Sequence, residues 1–376
     1  EYYYKLLEEL QLYIQITYQY SSEGVIITIS NNCPITEKEL IRIRERLSKA
    51  MSYDGADDAL MDILDDTEGA GLGIVMIVLM LKREGINPNA FVISSAENLT
   101  VARLSIHFAR IDEKKVSVLS DAIFSEITSL PAFPENIARL RELLNSDEAN
   151  MSQVAMTIKR DPSLSADLLK LTNSAQFMLP RKISSIDEAV KIVGFRGLRN
   201  IIASYGAKKI LESKYGKMED IWEHSYRCAF YAYEIGRNRS LEPSVIEDVF
   251  LGGLLHDLGK IITFALHPQL IDKIKKICHE KQLKTEILED LAFSVTHAKV
   301  GALLAEKWNF PERLVKVIEF HHDPLFADNT NKDAVFTVYF ANALCQLEKG
   351  EIVIEAFNKS VLEYFNIKDD DGILKL

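Results

Sequence analysis

The stretch Leu251–Ile262 constrains the fold more than any other, because it places charged groups in an otherwise apolar helical segment. Its sequence is Leu-Gly-Gly-Leu-Leu-His-Asp-Leu-Gly-Lys-Ile-Ile, so His256, Asp257 and Lys260 lie close together in the chain. These groups cost free energy in such surroundings unless they are paired, coordinated or used in chemistry. Histidine and aspartate are also natural ligands of a divalent metal. We therefore expect the rest of the chain to be organised around this stretch.

Further histidines lie at positions that one helical domain could bring together. His224 is upstream of the stretch, and His297 and the pair His321-His322 are downstream. Structural interpretations stay open: His224 as a polar residue at a helix start, and the His-Asp pair of the stretch as a hydrogen-bonded helix cap. His321 and His322 are about 100° apart on a helix, so both reach one metal only if the helix frays or two metals share the site.

Length, composition and charge exclude several classes of protein. The chain has 376 residues, enough for two or three domains at roughly 150 residues each. It is 47% hydrophobic and 26% charged, which is typical of globular proteins. The net charge of -11 argues against a broad surface for nucleic acid or an anionic membrane. No run approaches the ~18 consecutive apolar residues of a transmembrane helix.

The cysteines favour a reducing, cytoplasmic compartment. They are scattered, without a Cys-x-x-Cys spacing, and each is flanked by apolar or helical sequence. Buried free thiols are the expected state. The four positions are Cys33, Cys228, Cys278 and Cys345.

The first part of the chain is predicted to be an α/β layer. Alternating apolar residues predict a strand over residues 12–20, and Val25–Ser30 predicts a second strand that forms an antiparallel hairpin with it. Thr36 and Glu39 form a capping box that opens a helix. Two later strands, Phe91–Ser95 and residues 102–108, are expected to pair with each other.

A glycine-rich turn with Gly69, Gly71 and Gly73 precedes the apolar stretch Val75–Leu81. Such a turn lets the backbone approach a phosphate at a helix N-terminus, and a purely structural helix entry stays an equal alternative. With the Asp-Asp-Thr-Glu before it, the turn resembles the second half of a histidine-kinase-type ATPase domain. Asn31–Ile35 stands in place of that family's adenine-binding turn and lacks its glycines and aspartate. The resemblance implies an α/β sandwich over residues 1–110 that acts as a degenerate, non-hydrolysing sensor, with a working ATP site at the three glycines as the alternative.

Residues 111–376 are predicted to form an all-α domain. The charged segment 110–115 is a plausible boundary, and helical spacing replaces strand alternation after it. Ser185 and Glu188 form a second capping box, and Gly194 is expected to end that helix.

Several phrases of this half follow one another at a characteristic spacing. They are Ile158–Ala175, Ile186–Asn200, Gly253–Lys260, His297–Ala305, Trp308–Pro311 and His321-His322. Together they resemble an HDOD domain, the HD-related output domain of bacterial signalling proteins.

The resemblance implies a site for one or two divalent metals, with iron, manganese, zinc and magnesium as the candidates. It implies Lys260 as a catalytic phosphate contact. Two departures argue against catalysis: Asp323-Pro-Leu-Phe326 stands where the cyclic-di-GMP phosphodiesterase branch has Gly-Tyr-Pro, and neutral Asn342 stands where a further aspartate is common. The implied metal ligands are His224, His256, Asp257, His297, His321 and His322.

Three functions follow as alternatives. The first is a bacterial signal-transduction protein whose HDOD domain acts as a regulatory output module for a protein partner, without turnover. The second is a metal-dependent phosphohydrolase or cyclic-nucleotide phosphodiesterase, and the third is an ATP-sensing regulator. A homodimer through the exposed hairpin edge at Leu12–Ser30 is a further expectation.

Overall fold

The computed structural model describes residues 11–21, 24–53, 72–96, 98–107, 118–146, 149–173, 182–281 and 284–367. The chain divides into two compact units. The first contains residues 1–122 and 272–295, and the second contains residues 123–271 and 296–376.

The first unit contains one four-stranded antiparallel sheet. Its strands are β1 (Ile14–Ser21), β2 (Gly24–Asn31), β3 (Phe91–Ala96) and β4 (Leu99–His107), in the order β1-β2-β4-β3. β1 and β2 form the predicted hairpin, in which Ile14 lies opposite Asn31. β3 and β4 pair as expected. The sheet forms because apolar residues alternate with polar ones along the strands, which gives each strand an apolar face.

Two helices of the first unit precede β3 in the chain. The helix α1 (Glu37–Ser52) begins at the predicted capping box, since Thr36 accepts from the backbone N–H of Glu39 and the Glu39 carboxylate accepts from the N–H of Thr36. The apolar helix α2 (Leu72–Arg83) packs against α1.

The histidine-kinase-type ATPase sandwich is not supported by this fold. The alternating strands and the capped helix are enough to predict a small α/β layer. They do not predict the additional layers and connections of a histidine-kinase-type ATPase domain. Gly69 and Gly71 lie outside the described residues, and Gly73 is the second residue of α2. ATP binding at this turn therefore stays a prediction.

The remaining helices confirm the prediction of a helical second half. Beyond residue 107, the described part of the chain contains helices and short 3-10 turns, and no strand. α12 and all but the first four residues of α11 belong to the first unit. The helices are α3 (Val118–Ser129), α4 (Glu135–Asn145), α5 (Met151–Lys159), α6 (Pro162–Thr172), α7 (Ile186–Tyr215), α8 (Glu219–Asn238), α9 (Pro243–Leu255), α10 (Leu258–Leu266), α11 (Pro268–Lys281), α12 (Thr285–Phe293), α13 (His297–Lys307), α14 (Glu312–Phe320), α15 (Lys332–Glu348) and α16 (Lys359–Tyr364).

Two hydrophobic clusters form the core of the second unit. One joins α4, α5, α6 and the first part of α7, and the other joins α8, α9, α15 and α16. Such clusters stabilise the fold by roughly 25 cal/mol per Å² of buried apolar surface. Fully buried members include Leu140, Ile158, Leu168, Val249 and Phe340.

The start of α7 differs from its prediction in two details. Ser185 is the N-cap residue, but its hydroxyl makes no capping hydrogen bond. Gly194 has φ 70° and ψ 171°, and the helix resumes directly after it. The glycine therefore produces a kink instead of the expected end, since its left-handed φ breaks the helix for one residue only.

One helical stretch, Pro243–Leu266, is long and apolar enough to span a membrane by length and composition alone. Of its most apolar window, 78% is buried inside the protein. The apolar composition of this stretch is therefore explained by its burial in the core. The stretch also contains the His256-Asp257 pair.

Candidate metal centre

The glycines around His256 and Asp257 determine how closely other helices approach this pair. The two residues form the junction between α9 and α10. A Cβ added at Gly252 would lie 2.5 Å from the Val317 side chain of α14, and one added at Gly253 would lie 2.7 Å from Cα of Ala229 in α8. One added at Gly259 would lie 1.9 Å from the carbonyl oxygen of His297. Three neighbouring elements can therefore reach the junction because glycine has no side chain.

Each of these elements carries at least one of the predicted ligands. His224 is in α8, and His297 is the first residue of α13. α14 ends at Phe320, so His321 caps its C-terminus and His322 follows outside the helix. Because the helix ends there, the two adjacent histidines both reach the site. The sequence indicated that this would require either a frayed helix end or two metals that share the site.

The carboxylate of Asp257 lies at the centre of the cluster, and each of its oxygens faces two histidines. The Nε2 atoms of His256 and His224 lie 3.3 and 3.5 Å from Oδ2. Those of His297 and His321 lie 3.5 and 3.6 Å from Oδ1. The histidines also contact one another in pairs through their Nε2 atoms. The distance is 3.2 Å between His224 and His256 and 3.0 Å between His297 and His322.

Backbone contacts fix the tautomers of two of the rings. Nδ1 of His256 lies 2.8 Å from the carbonyl oxygen of Gly253, and Nδ1 of His321 lies 2.7 Å from that of Ile318. A carbonyl only accepts, so both rings donate their Nδ1–H there. Their Nε2 atoms face Asp257, and this is the orientation of metal-binding histidines.

Two atoms at the centre have no hydrogen-bond partner among the described residues. They are Oδ1 of Asp257 and Nε2 of His321, both buried. Their separation of 3.6 Å is too long for a hydrogen bond, and neither atom carries a proton to donate. A buried unpaired acceptor costs about 1–3 kcal/mol, more when it is charged. A cation between the two atoms would remove this cost.

The protonation states also suit a metal. Burial opposes the ionisation of Asp257, but the neighbouring His256 ring and the Lys260 ammonium outweigh it and hold the pKa of Asp257 well below its usual range. Burial, helped by the nearby His322, lowers the pKa of His321 well below its usual range. Burial likewise lowers the pKa of His224 to about 3. At neutral pH Asp257 is therefore ionised and the imidazoles of His224 and His321 are neutral, which are the forms that bind metal.

The spacing of the ligand atoms fits bound metal. Atoms bound to one metal at about 2.0–2.2 Å lie roughly 3.0–3.5 Å apart, close to the separations found here. Two overlapping groups share Asp257. The first contains His224, His256 and Asp257, and the second contains Asp257, His297, His321 and His322.

Comparisons with known proteins fit the helical part of this fold. The family model of the HDOD domain matches residues 130–324, slightly more than half of the chain. The chain belongs to the HDOD family. An uncharacterised protein of Treponema pallidum is 32% identical over 371 residues, which cover 99% of this chain and 72% of that protein.

Two solved structures share the fold of this HDOD protein. One, from Marinobacter aquaeolei VT8, is provisionally named a signal transduction protein; its TM-score is 0.53 and its identity 18%, over 76% of this chain and 72% of that chain. The other, from Shewanella amazonensis SB2B, is provisionally named a phosphohydrolase; its TM-score is 0.52 and its identity 22%, over 68% of this chain and 92% of that chain. At these identities the likeness establishes the fold alone.

Two residues beside the cluster bear on its chemistry. The Lys260 ammonium lies 2.9 Å from Oδ2 of Asp257, so the predicted phosphate contact is engaged by the central carboxylate. Asn342 in α15 is buried, and its Oδ1 lies 3.1 Å from Nε2 of His224. The residue that replaces the expected aspartate therefore lies next to the first group of ligands.

The structure brings together all six predicted ligands of the HDOD protein, and metal binding by them stays a prediction. Sequence reasoning missed the contacts of Gly252, Gly253 and Gly259. Their clustering around a buried polar pair was a usable signal, because small residues in a core helix often mark close packing of backbones.

Proposed function

We propose that this HDOD protein is a metal-binding signalling protein whose helical domain acts as a regulatory output module for a protein partner, without turnover. Family membership and the shared fold of a provisionally named signal transduction protein support the signalling role. The metal proposal depends above all on the unpartnered, buried pair of Asp257 Oδ1 and His321 Nε2.

The burial of the cluster favours regulation over turnover. His256, His297 and His321 are fully buried, and Asp257 is 2% exposed. A catalytic metal keeps a coordination position open for water or substrate, whereas a structural site is enclosed by protein ligands. The enclosed arrangement therefore supports a metal that holds the fold in one state.

Metal binding would connect separate elements of the domain. The ligands belong to α8, to the junction of α9 and α10, to α13 and to the end of α14. Because binding free energy from such a site adds to the stability of the folded state, occupancy would stabilise the arrangement of these helices. A partner that contacts them would distinguish the loaded state from the free state.

Elemental analysis tests the metal proposal. The protein is purified without chelator or affinity-tag nickel, as wild type and as a His256→Ala/Asp257→Ala variant. We expect near-stoichiometric iron, manganese, zinc or magnesium in the wild type only. His322→Ala, which changes a less buried ligand, should fold and lose part of the metal, and circular dichroism verifies folding.

A matched control is His107→Ala/Asp121→Ala, which removes the same residue types from the first unit, whereas all six predicted ligands belong to the second. This control should retain the metal content of the wild type. Absence of metal from folded wild-type protein, even after incubation with each of the four ions, would contradict the proposal.

A phosphohydrolase is the second candidate, because two groups of ligands share Asp257. A divalent metal held there would neutralise phosphate charge and lower the pKa of a bound water. His224 and Lys260 keep 11% and 19% of their side chains exposed, which offers a route from solvent. Hydrolysis of bis-p-nitrophenyl phosphate by metal-loaded protein, lost in Asp257→Asn, would favour this candidate over the regulatory one.

A further inference from the structure

A cleft lies in the helical unit, lined by residues other than the predicted ligands. It has a volume of about 950 Å³ and lies among α6, α7, α8 and α9. Its lining residues follow helical spacing, with Ser163, Asp167 and Lys170 from α6 and Glu219, Trp222 and Tyr226 among those from α8. Three amphipathic faces therefore meet around it. A volume of this size lies within the range of small-molecule sites.

Three donors in the cleft have no hydrogen-bond acceptor within the described part of the chain. Nε1 of Trp222 is buried and unpartnered. The ammonium of Lys208 lies 5.7 Å from the centre of the Trp222 ring and 5.9 Å from that of Tyr226. Its nearest carboxylate oxygen, on Glu212, is 3.9 Å away, which is beyond hydrogen-bond distance. The hydroxyl of Tyr226 is the third donor.

These donors determine the charge of a fitting ligand. Free aromatic faces attract cations. Here the Lys208 ammonium already lies over both rings, so a cationic ligand would be repelled by it. Anionic oxygens are the acceptors that pair best with an ammonium and also accept from an indole N–H and a phenol. Lys170 and Lys217 add exposed positive charge at the rim. The lining as a whole has a slight excess of positive charge, because the cations Lys170, Lys208, Lys209, Lys217 and Arg227 outnumber the carboxylates Asp167, Glu212, Glu219 and Glu223. The cleft therefore favours an anion although the whole chain carries a net charge of -11.

The remaining lining suits the rest of a nucleotide. The volume greatly exceeds that of a phosphate ion, so the anionic group must belong to a larger molecule. Asp167 and Glu212 supply carboxylates that accept from hydroxyl or amino groups, and Phe230 and Phe250 supply apolar surface. We propose that this cleft binds a nucleoside phosphate, with its phosphates at Lys208, Trp222 and Tyr226.

The proposed ligand would contact a helix that also carries a predicted metal ligand. Trp222 and His224 are two residues apart in α8, which places their side chains about 200° apart around the helix. The cleft and the cluster therefore use different faces of one helix. Nucleotide binding is independent of metal binding, and each proposal can fail alone.

Tryptophan fluorescence provides a local test, because the chain has only two tryptophans. Trp308 lies outside the cleft, where its Nε1–H donates to the carbonyl of Pro131. In a Trp308→Phe variant, emission reports on Trp222. ATP, GTP, tripolyphosphate and adenosine are titrated in the presence of a chelator, with calorimetry as a second readout. We expect saturable changes with ATP or GTP, and weaker binding of tripolyphosphate and of adenosine.

Charge variants localise the binding. Lys208→Gln should weaken nucleotide binding about tenfold or more, since it removes a charge-assisted contact. Lys170→Glu should also weaken binding, since it reverses a charge at the rim. The matched control is Lys191→Glu, an exposed lysine of α7 that does not line the cleft. Thermal unfolding of each variant shows that the fold is kept.

The outcomes separate this cleft from other sites. Loss of binding in Lys170→Glu, with normal binding in Lys191→Glu and in the His256→Ala/Asp257→Ala variant, supports the proposal. Binding that is unchanged in both cleft variants places the nucleotide elsewhere and overturns it. Failure of both nucleotides to bind the folded wild type at millimolar concentration also overturns it.

Discussion

Gly259 is the most restrictive single residue of the cluster. A Cβ there would lie 1.9 Å from the carbonyl oxygen of His297 and 2.8 Å from the backbone nitrogen of Gly301. Both obstacles are backbone atoms, so they cannot move aside as a flexible side chain would. The distance between α10 and α13 must therefore increase when this glycine is replaced.

Gly259→Ala should consequently destabilise the protein and disperse its ligands. We expect a loss of about 1–3 kcal/mol in the free energy of unfolding, the usual cost of overpacking a core. Metal affinity should fall as well, because His297 moves away from Asp257. Denaturant titration measures the first effect and calorimetry with zinc the second.

Gly73→Ala is the matched control for this change. An added Cβ at Gly73 meets no atom of the described residues within 4 Å, and the residue is helical. Its free energy of unfolding should stay equal or rise by up to about 1 kcal/mol. Equal stability of the two variants would contradict the close-approach argument.

The residues of the cluster could be predicted from the sequence, whereas its geometry could not. His256 and Asp257 were identifiable because charged groups stood in an apolar helix. The sharing of Asp257 between two groups depends on where α13 and α14 pack, which no local pattern specifies. Likewise, the donors of Trp222 and Tyr226 gave no signal, since aromatic residues at helical spacing are common on amphipathic helices.

The strand β1 stands out among the elements of the first unit. It is an edge strand, all eight of its residues are exposed, and none of them is charged. Ile14, Ile16, Tyr18 and Tyr20 share one face, with exposures of 73, 51, 70 and 79%. Natural edge strands normally carry charges, bulges or prolines that prevent pairing. An uncharged apolar edge therefore favours pairing with a second copy of the strand.

We predict that the protein self-associates through β1 and that Tyr18→Lys weakens the association. The added lysines of two antiparallel copies would repel each other and lose apolar contact. Since the chain carries a net charge of -11, added salt should strengthen the wild-type association by screening repulsion. Sedimentation velocity over a concentration series measures both effects.

The opposite edge of the same sheet provides the control. Val92 in β3 is 52% exposed, and Val92→Lys introduces the same charge there. This variant should sediment as the wild type does. A wild type that stays monomeric at high concentration and high salt would refute the role of β1.

At this scale the sequence predicts elements better than it predicts their ends. The hairpin of β1 and β2 and the box at Thr36 depend on local alternation and capping, and both are confirmed. Gly194 was expected to end a helix and instead kinks it, because packing on both sides of the glycine favours further helix. The ATPase sandwich is not supported for a related reason, since a few local patterns do not define how layers assemble.

At the scale of the whole molecule, the two compact units can be observed separately. Both tryptophans, Trp222 and Trp308, belong to the second unit, which also contains the complete histidine cluster. The sheet of the first unit has no tryptophan. Tryptophan emission during heating therefore follows the helical unit alone, and amide hydrogen exchange in β1–β4 follows the sheet.

Removal of metal should lower the stability of the helical unit only. A ligand present at 100 times its Kd stabilises the folded state by about 2.7 kcal/mol. For a unit of this size, that corresponds to a fall of roughly 5–10 °C in the tryptophan-detected unfolding temperature after chelation. Exchange protection in the strands should stay constant, and Asp257→Asn should show no effect of the chelator. An equal fall for wild type and variant would instead mean that the chelator acts outside the cluster, and the histidines would then be structural.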